Sequence, residues 1–197
     1  NTVVRVLKKV GYYKFVIKIL LKFGATPIVK AHMKDSTKIL IDLRSSTEYN
    51  CLFSGEYDND FLEILHNLLD PNEYFLDVGA NIGFYSISIS AKLGNKGSGK
   101  VISFEPFENN YKRLIENLKL NNLEDCCNAI NIGLSDSSKT SLIVLREDFT
   151  NGSITGNASV SISDGMDSGF EKVPIRLQRL DDFWGNFKLK SEKIGLI

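Results

Sequence analysis

The sequence predicts an α/β domain built on a central, mostly parallel sheet with flanking helices, and three observations support this prediction. Two short apolar runs, Tyr74–Val78 and Val101–Phe104, are typical of strands buried on both faces. Between them, a glycine-containing turn at Gly79–Gly83 precedes Phe84–Leu93, where a parallel crossover needs a helix. After the second strand, apolar residues recur at helical spacing, namely Phe107, Tyr111, Leu114 and Leu118.

The later part of the chain predicts antiparallel additions after a third core strand at Cys126–Ile132. Beyond Gly133 the apolar residues no longer follow a helical repeat. Strands are expected within residues 140–146, 158–163 and 172–177, a short helix from Leu180, and the next central strand from Ile194.

The first 70 residues predict a helical and strand extension that packs on the core. Lys38–Leu43 is a strand candidate, and Tyr49–Phe53 is expected to pair back with it. A helix is predicted over residues 58–69, where Pro71 and its predecessor stop it. We therefore divide the chain into an extension, residues 1–70, and a binding domain, residues 71–197.

Residues 1–23 combine apolar and basic side chains in a pattern typical of an amphipathic helix or helix pair. Two interpretations remain open, a helix that packs on the domain and a helix that lies on an anionic membrane surface. The segment lacks the long uncharged run of a transmembrane helix or a secretory signal.

Composition excludes several classes of protein. Lys plus Arg equals Asp plus Glu at 24 each, which argues against a dedicated nucleic-acid binder. The three cysteines, Cys51, Cys126 and Cys127, are too few and too irregular for a disulfide framework, so we expect reduced thiols in a cytoplasmic protein. With only two histidines, distant from those cysteines, no metal site is expected.

The turn after the first core strand carries the clearest functional signal. Gly79 and Gly83 let the backbone approach a ligand and let the helix begin close to the sheet. The helix N-terminus suits a ligand carboxylate. Glu105, at the tip of the second strand, is 22 positions after Gly83, where an acidic side chain can accept hydrogen bonds from ribose hydroxyls.

This layout also occurs in dinucleotide oxidoreductases, but three residues favour S-adenosylmethionine. Asn81 and Phe84 occupy positions where the dinucleotide motif needs glycine, and their side chains would crowd a pyrophosphate. Asp77 places a negative charge where a cationic amino or sulfonium group would be favoured and a pyrophosphate would not.

Three runs of the sequence, FLDVGANIGFYS, ISFEPFENNYKRLIENLKLNN and NIGLSD, resemble the FkbM family of S-adenosylmethionine-dependent methyltransferases. The resemblance extends from about Lys38 to Ile197, and it implies a Rossmann-like class I methyltransferase fold with S-adenosyl-L-methionine as the cofactor. It also implies a set of cofactor-binding residues: Asp77, Gly79, Ala80, Asn81, Gly83, Phe84, Glu105, Pro106, Phe107, Ser135 and Asp136.

Within that set, the resemblance places the turn residues against the methionine portion, with Asp77 supporting the turn. Glu105 is the expected ribose ligand, and Ser135 and Asp136 match adenine contacts, although an ordinary polar turn remains the alternative for these two. Asp58 follows an aromatic residue where the family often carries glutamate, and helix capping is the interpretation that we favour for it.

By this resemblance the chain is an S-adenosylmethionine-dependent methyltransferase that acts on a hydroxyl group of a sugar, glycolipid or polyketide-like molecule. Family members continue past Ile197 into an acidic segment, so we expect the chain to be truncated there and assign no catalytic residue. A non-catalytic cofactor-binding module and, less favoured, a nicotinamide-dependent oxidoreductase remain the alternatives.

Overall fold

The computed structural model describes residues 19, 22–94, 99–145, 158–160, 171–186 and 193–197. Most of the amphipathic segment predicted for residues 1–23 lies outside the described residues. None of the helices within the described ranges combines the length and the apolar character needed to cross a membrane.

The N-terminal part of the described chain is a hairpin followed by two helices. Strands β1 (Ile28–His32) and β2 (Lys38–Asp42) pair antiparallel. Helices α1 (Ser46–Ser54) and α2 (Asn59–Leu68) follow. In α2, Leu62 and Leu65 are buried whereas Phe61 and Leu68 are exposed, so the buried face is narrower than the apolar spacing indicated.

The strand predicted at Tyr49–Phe53 is wrong, because this segment lies within α1. Ser45 caps the helix by accepting a hydrogen bond from the backbone N–H of Glu48, which is the Ser-x-x-Glu spacing of a capping box. Gly55 ends the helix in the left-handed conformation. These two capping signals outweigh the aromatic and apolar content of the segment, and β1 takes the place of the expected partner strand.

The central part of the chain alternates strands and helices as predicted. In order, the elements are β3 (Tyr74–Val78), α3 (Phe84–Leu93), β4 (Val101–Phe104), α4 (Glu108–Leu120) and β5 (Cys127–Ile130). The alternating serines and isoleucines of α3, from Ser86 to Ser90, are all buried, and the exposed residues are Ala91 and Lys92 in its last turn. A helix buried over most of its surface has no continuous polar face, which explains why its sequence pattern alone is ambiguous.

In the last part of the chain, the described residues from Gly133 onward form five strands and a short helix. They are β6 (Gly133–Leu134), β7 (Lys139–Leu145), β8 (Ala158–Val160), β9 (Glu171–Gln178), α5 (Leu180–Asn186) and β10 (Ile194–Leu196).

The described strands from β3 onward form two four-stranded sheets. The central sheet has the order β10-β3-β4-β5 with every pair parallel. The second has the order β6-β9-β7-β8, in which β7 runs antiparallel to both of its neighbours. The predicted α/β fold, Rossmann-like with a parallel central sheet and antiparallel additions after the third core strand, is confirmed.

Polar side chains of α4 join the N-terminal hairpin to this core. Asn117 accepts a hydrogen bond from the backbone N–H of Leu40 at 2.7 Å and donates to the carbonyl oxygen of Ile82 at 2.9 Å. One turn later, Asn121 accepts from the N–H of Lys38 at 2.8 Å and donates to its carbonyl at 2.7 Å. The edge of β2 that faces α4 therefore pairs with side chains of that helix.

A buried ion pair adds to this junction. Glu48 is fully buried, and its carboxylate accepts from the guanidinium of Arg113 and from the backbone N–H of Asp42. Arg113 also donates to the carbonyl of Leu40. Both carboxylate oxygens are hydrogen-bonded, which offsets part of the cost of burying this charge. Among the described residues, Nε of Arg113 is buried without a hydrogen-bond partner.

Candidate functional site

The topology of the central sheet places a crevice at the carboxyl end of β3. The chain passes from β3 to β4 and β5 on one side and returns to β10 on the other side. In open α/β sheets, ligands bind outside the strand ends where the strand order reverses. Val78, the last residue of β3, is 48% exposed although the four residues before it are buried, so this edge of the sheet is open.

The turn after β3 is fastened to the end of β4. The N–H groups of Gly79 and Ala80 both donate to the carbonyl of Phe104, at 2.9 and 3.0 Å. Gly79, Asn81 and Gly83 all have positive φ angles, of 82°, 52° and 97°. Such a compact turn requires residues that tolerate the left-handed region, which glycine and asparagine do best.

The two glycines of the turn are needed for different physical reasons. A Cβ added at Gly79 would meet nothing within 4 Å, so this position faces open space. A Cβ added at Gly83 would lie 2.5 Å from Cδ1 of Leu114 in α4. Gly79 therefore keeps the ligand side of the turn accessible, whereas Gly83 allows α3 to pack closely against α4.

Glu105 follows β4, and backbone groups hold its carboxylate in place. The side chain is 5% exposed; Oε2 accepts from the N–H of Asn81 at 2.7 Å, and Oε1 accepts from the N–H of Phe107 at 2.9 Å. Burial raises the pKa of Glu105, while the two backbone N–H groups oppose that shift. The side chain of Asn110 also hydrogen-bonds the carboxylate. Since a carboxylate has about four lone-pair sites, it can still accept a hydrogen bond from a ligand.

Asp77 lies beneath the turn in a chain of buried polar groups. Its Oδ2 accepts from the hydroxyl of Ser86 at 2.5 Å, and Ser86 lies 2.7 Å from the hydroxyl of Ser103, which in turn lies 3.2 Å from the sulfur of Cys127. Burial raises the pKa of Asp77, and it raises the pKa of the Cys127 thiol to about 12. Sequence reasoning missed this series of hydrogen-bonded groups because its members come from three strands and a helix.

The remaining predicted site residues contact other parts of the structure. The ring of Phe84 is buried and stacks on Tyr57, with ring centroids 4.0 Å apart, so it faces the N-terminal extension. Phe107 is buried in a cluster with β7 and β9 side chains. Pro106 is half-buried next to Gly133, where an added Cβ would lie 3.3 Å from the proline Cβ.

Ser135 and Asp136 lie beyond β6, on the side of the second sheet. The N–H of Ser135 donates to the carbonyl of Gln178, and its hydroxyl donates to Asp136 at 3.1 Å. Asp136 is exposed, and hydrogen bonds from Ser137 and Ser135 lower the pKa of its carboxyl group. The hydrogen bonds that join Glu105 to the turn do not extend to these two residues.

Asp58 differs from the favoured interpretation. It occupies the N-cap position of α2, but its carboxylate makes no capping hydrogen bond. Instead, Oδ2 accepts from the hydroxyl of Tyr85 at 2.7 Å. The prediction of a capping side chain is therefore wrong, because the tertiary structure brings Tyr85 close and the carboxylate bonds its hydroxyl instead of the helix backbone.

Comparison with known proteins decides the family. The family model described as the methyltransferase FkbM domain matches residues 77–197, more than half of the chain. The chain belongs to the FkbM methyltransferase family. The predicted enzyme class and the predicted cofactor, S-adenosylmethionine, are thereby confirmed at the level of the family. None of the curated proteins matches the sequence.

Several solved structures are similar to this FkbM family member over part of their length. P. horikoshii TYW2 in complex with MeSAdo is 26% identical, with 55% of this chain and 37% of that chain covered and a TM-score of 0.43. The complex of aTrm5 and tRNALeu is 16% identical, with 58% of this chain and 34% of that chain covered and a TM-score of 0.40. Methyltransferase FkbM from Methylobacillus flagellatus KT is 19% identical, with 59% of this chain and 24% of that chain covered and a TM-score of 0.32. The chain thus spans well under half the length of each.

The residues of the crevice fit an S-adenosylmethionine molecule. Glu105 offers two fixed carboxylate oxygens at the tip of β4, which matches the pair of adjacent hydroxyls on a ribose. Gly79, in the turn that Glu105 bonds, faces open space. Gly83, the residue before α3, has no side chain to cap the helix, and Asp77 accepts from the backbone N–H of Ser86 in the first turn. The N–H groups that precede Ser86 in the helix can receive a ligand carboxylate. Within the same described ranges, no group of three or more His, Cys, Asp or Glu could hold a metal ion.

Proposed function

We propose that this chain is the cofactor-binding part of a methyltransferase that transfers a methyl group from S-adenosylmethionine to a hydroxyl group on a sugar, glycolipid or polyketide-like small molecule. The observation that carries the proposal is the Glu105 carboxylate, which two backbone N–H groups hold beside an open glycine turn. We also propose residues 1–70 as an extension and residues 71–197 as the binding domain.

In this proposal, each part of the crevice binds one part of the cofactor. Glu105 accepts hydrogen bonds from the two ribose hydroxyls, and the turn from Gly79 to Gly83 lies along the methionine portion. The N-terminus of α3 stabilises the carboxylate of that portion through its partial positive charge. Asp77 acts from below, because its bond to Ser86 holds α3 against the sheet.

The adenosine side of the crevice is formed by residues that follow β4 and β6. Pro106 and Phe107 extend directly from the ribose ligand Glu105. Asp136 has a lowered pKa and an exposed carboxylate. It is therefore ionised at neutral pH and can accept a hydrogen bond from an exocyclic amino group, with Ser135 holding it in position.

The chemistry itself needs alignment more than activation. S-Adenosylmethionine supplies a methyl group on a positively charged sulfur, which is already a reactive donor. The residues of this chain contribute by fixing the donor's orientation, so that an acceptor oxygen can approach in line. The balanced charge of the chain, 24 basic and 24 acidic residues, supports a small-molecule acceptor in preference to a nucleic acid.

Calorimetric titration with S-adenosylhomocysteine tests the cofactor site. We expect the wild-type chain to bind S-adenosylhomocysteine and to bind NAD more weakly. In the wild type each carboxylate oxygen of Glu105 accepts from a backbone N–H group, and Glu105→Gln replaces one of these oxygens by an NH2 group that cannot accept. The loss of a charge-assisted hydrogen bond is expected to weaken binding by about 10- to 100-fold.

Glu108→Gln is the matched control for this substitution. Glu108 lies three positions further along, in the first turn of α4, where its side chain is exposed and pairs with Lys112. We expect it to bind S-adenosylhomocysteine like the wild type. A wild-type preference for NAD, or unchanged binding by Glu105→Gln, would contradict the proposed cofactor site.

A further inference from the structure

A carboxylate and a group of aromatic rings that the cofactor site does not use meet where α2 and α3 begin. Asp58 accepts from the hydroxyl of Tyr85 at 2.7 Å. The ring of Tyr85 is in edge contact with Phe61, at a centroid distance of 5.8 Å, and with Tyr57, at 5.5 Å. Tyr57 stacks in turn on Phe84. We call Tyr57, Asp58, Phe61 and Tyr85 the α2–α3 cluster.

The cluster presents one charged group and one apolar ring face to solvent. Asp58 is exposed, and Phe61 keeps 45% of its surface exposed. Tyr85 orients the carboxylate: burial raises the pKa of its hydroxyl and the bond to Asp58 raises it further, so the hydroxyl stays protonated and donates. That bond occupies one of about four lone-pair sites of the carboxylate, and the others can accept from a ligand.

The backbone at Asp58 is held in an uncommon conformation. Its φ angle is 45°, in the left-handed region that non-glycine residues rarely adopt. A side chain at this position normally caps the helix, but Asp58 contributes no such bond. In this conformation the exposed carboxylate bonds Tyr85, and its side chain makes no hydrogen bond to the start of α2.

The cluster lies close to the cofactor turn. Tyr85 is the second residue of α3, and that helix begins directly after Gly83. Phe84, the residue that follows Gly83, stacks on Tyr57 with ring centroids 4.0 Å apart. The cluster therefore contacts the first residue after the cofactor turn.

An exposed aromatic ring beside an oriented carboxylate suits a sugar ring. The apolar C–H face of the sugar can pack on the phenyl ring, while a hydroxyl group donates a charge-assisted hydrogen bond to the carboxylate. Ligand sites commonly combine aromatic walls with a few placed polar groups in this way. A long alkyl acceptor would need no carboxylate, and a phosphorylated acceptor would be repelled by it.

We propose that the α2–α3 cluster is the acceptor subsite and that it binds a neutral sugar ring, with Phe61 under the ring and Asp58 accepting one of its hydroxyls. This inference rests on the proposed function, since it places the acceptor beside the methionine end of the cofactor crevice. It selects sugar-bearing acceptors from the wider set of hydroxylated small molecules.

Saturation-transfer difference NMR with simple sugars tests the subsite directly. The probes are the methyl glycosides of glucose, galactose, mannose and rhamnose, each titrated into the protein with and without saturating S-adenosylhomocysteine. We expect at least one probe to receive saturation at its ring C–H protons. Asp58→Asn and Phe61→Ala should each lower the affinity for that probe by about tenfold, which corresponds to the loss of one charge-assisted hydrogen bond or one ring contact.

Two matched controls separate the subsite from general effects. Asp60→Asn changes a neighbouring carboxylate in the first turn of the same helix, and Phe23→Ala removes a phenyl ring that is 84% exposed elsewhere. Both should bind the probe like the wild type. Unchanged S-adenosylhomocysteine affinity in Asp58→Asn and Phe61→Ala would show that these variants fold.

The two proposals fail in different ways. If no methyl glycoside binds, or if Asp58→Asn and Phe61→Ala bind the probe as the controls do, the acceptor subsite is overturned. That result leaves the cofactor assignment intact as long as the wild type binds S-adenosylhomocysteine. Conversely, if S-adenosylhomocysteine does not bind, the proposed function fails, and the titration without it still decides whether the cluster binds sugars.

Discussion

Replacing Asn117 by alanine should destabilise the fold and weaken the cofactor site together. The buried amide of Asn117 is the contact through which α4 holds both the N–H of Leu40 in the hairpin and the carbonyl of Ile82 in the cofactor turn. Alanine leaves both backbone groups without this partner. An unsatisfied buried group costs about 1–3 kcal/mol, and Leu40 is half-buried and can recover water in part. We expect a loss of about 2–4 kcal/mol of unfolding free energy.

The same substitution frees the carbonyl of Ile82, which lies between Asn81 and Gly83 in the turn. If about 1 kcal/mol of the binding energy depends on the turn being held in advance, S-adenosylhomocysteine should bind about fivefold more weakly. Urea denaturation followed by circular dichroism measures the first effect, and calorimetric titration measures the second.

Asn121→Ala is the matched control. Asn121 holds the backbone of Lys38 in the same hairpin but makes no described contact with the turn. It should therefore lower stability while leaving S-adenosylhomocysteine affinity unchanged. If Asn117→Ala unfolds at the wild-type urea concentration, or if Asn121→Ala weakens the ligand equally, the hairpin is not coupled to the turn through Asn117.

Three other substitutions test the site. Gly83→Ala should lower the free energy of unfolding by about 2 kcal/mol or more, because its Cβ would lie 2.5 Å from Leu114 and its φ angle is 97°. At Gly79 an added Cβ faces open space, so Gly79→Ala should cost about 1 kcal/mol of backbone strain but block the binding of S-adenosylhomocysteine. Urea midpoints and calorimetry distinguish them, and equal stability losses would contradict the assignment. Because burial raises the pKa of Asp77, the folded chain binds its proton more tightly, so its contribution to stability falls as pH rises above the ordinary aspartate value. Asp77→Asn should remove this part of the pH dependence, measured by urea midpoints from pH 4 to 8, and an unchanged pH profile would refute it.

Local sequence signals were sufficient where a segment's neighbours along the chain determine its structure. Tyr74–Val78 and Val101–Phe104 were predicted with the bounds that the structure has, since a short apolar run between turns suits a strand buried on both faces. For Phe84–Leu93 the local pattern was ambiguous, and the need for a crossover helix between parallel strands gave the correct result.

The strand predicted at Tyr49–Phe53 is wrong because the helix signals that flank the segment outweigh its β-forming residues. Ser45, Glu48 and Gly55 specify the start and end of a helix, and they were all present in the sequence. In contrast, no local signal identifies the role of Asp58, because its partner Tyr85 is 27 positions away in the chain.

The sequence by itself determined the order of strands and helices, the glycine turn, the acidic residue at the tip of β4 and the family. These features depend on residue type and spacing within a few turns of chain. Only the tertiary structure decided that Asn117 links the hairpin to the turn, that Gly83 is needed for packing against Leu114, and that Asp58 belongs to an aromatic cluster. Contacts between distant segments depend on how helices and sheets pack in three dimensions, and a one-dimensional pattern does not record that packing.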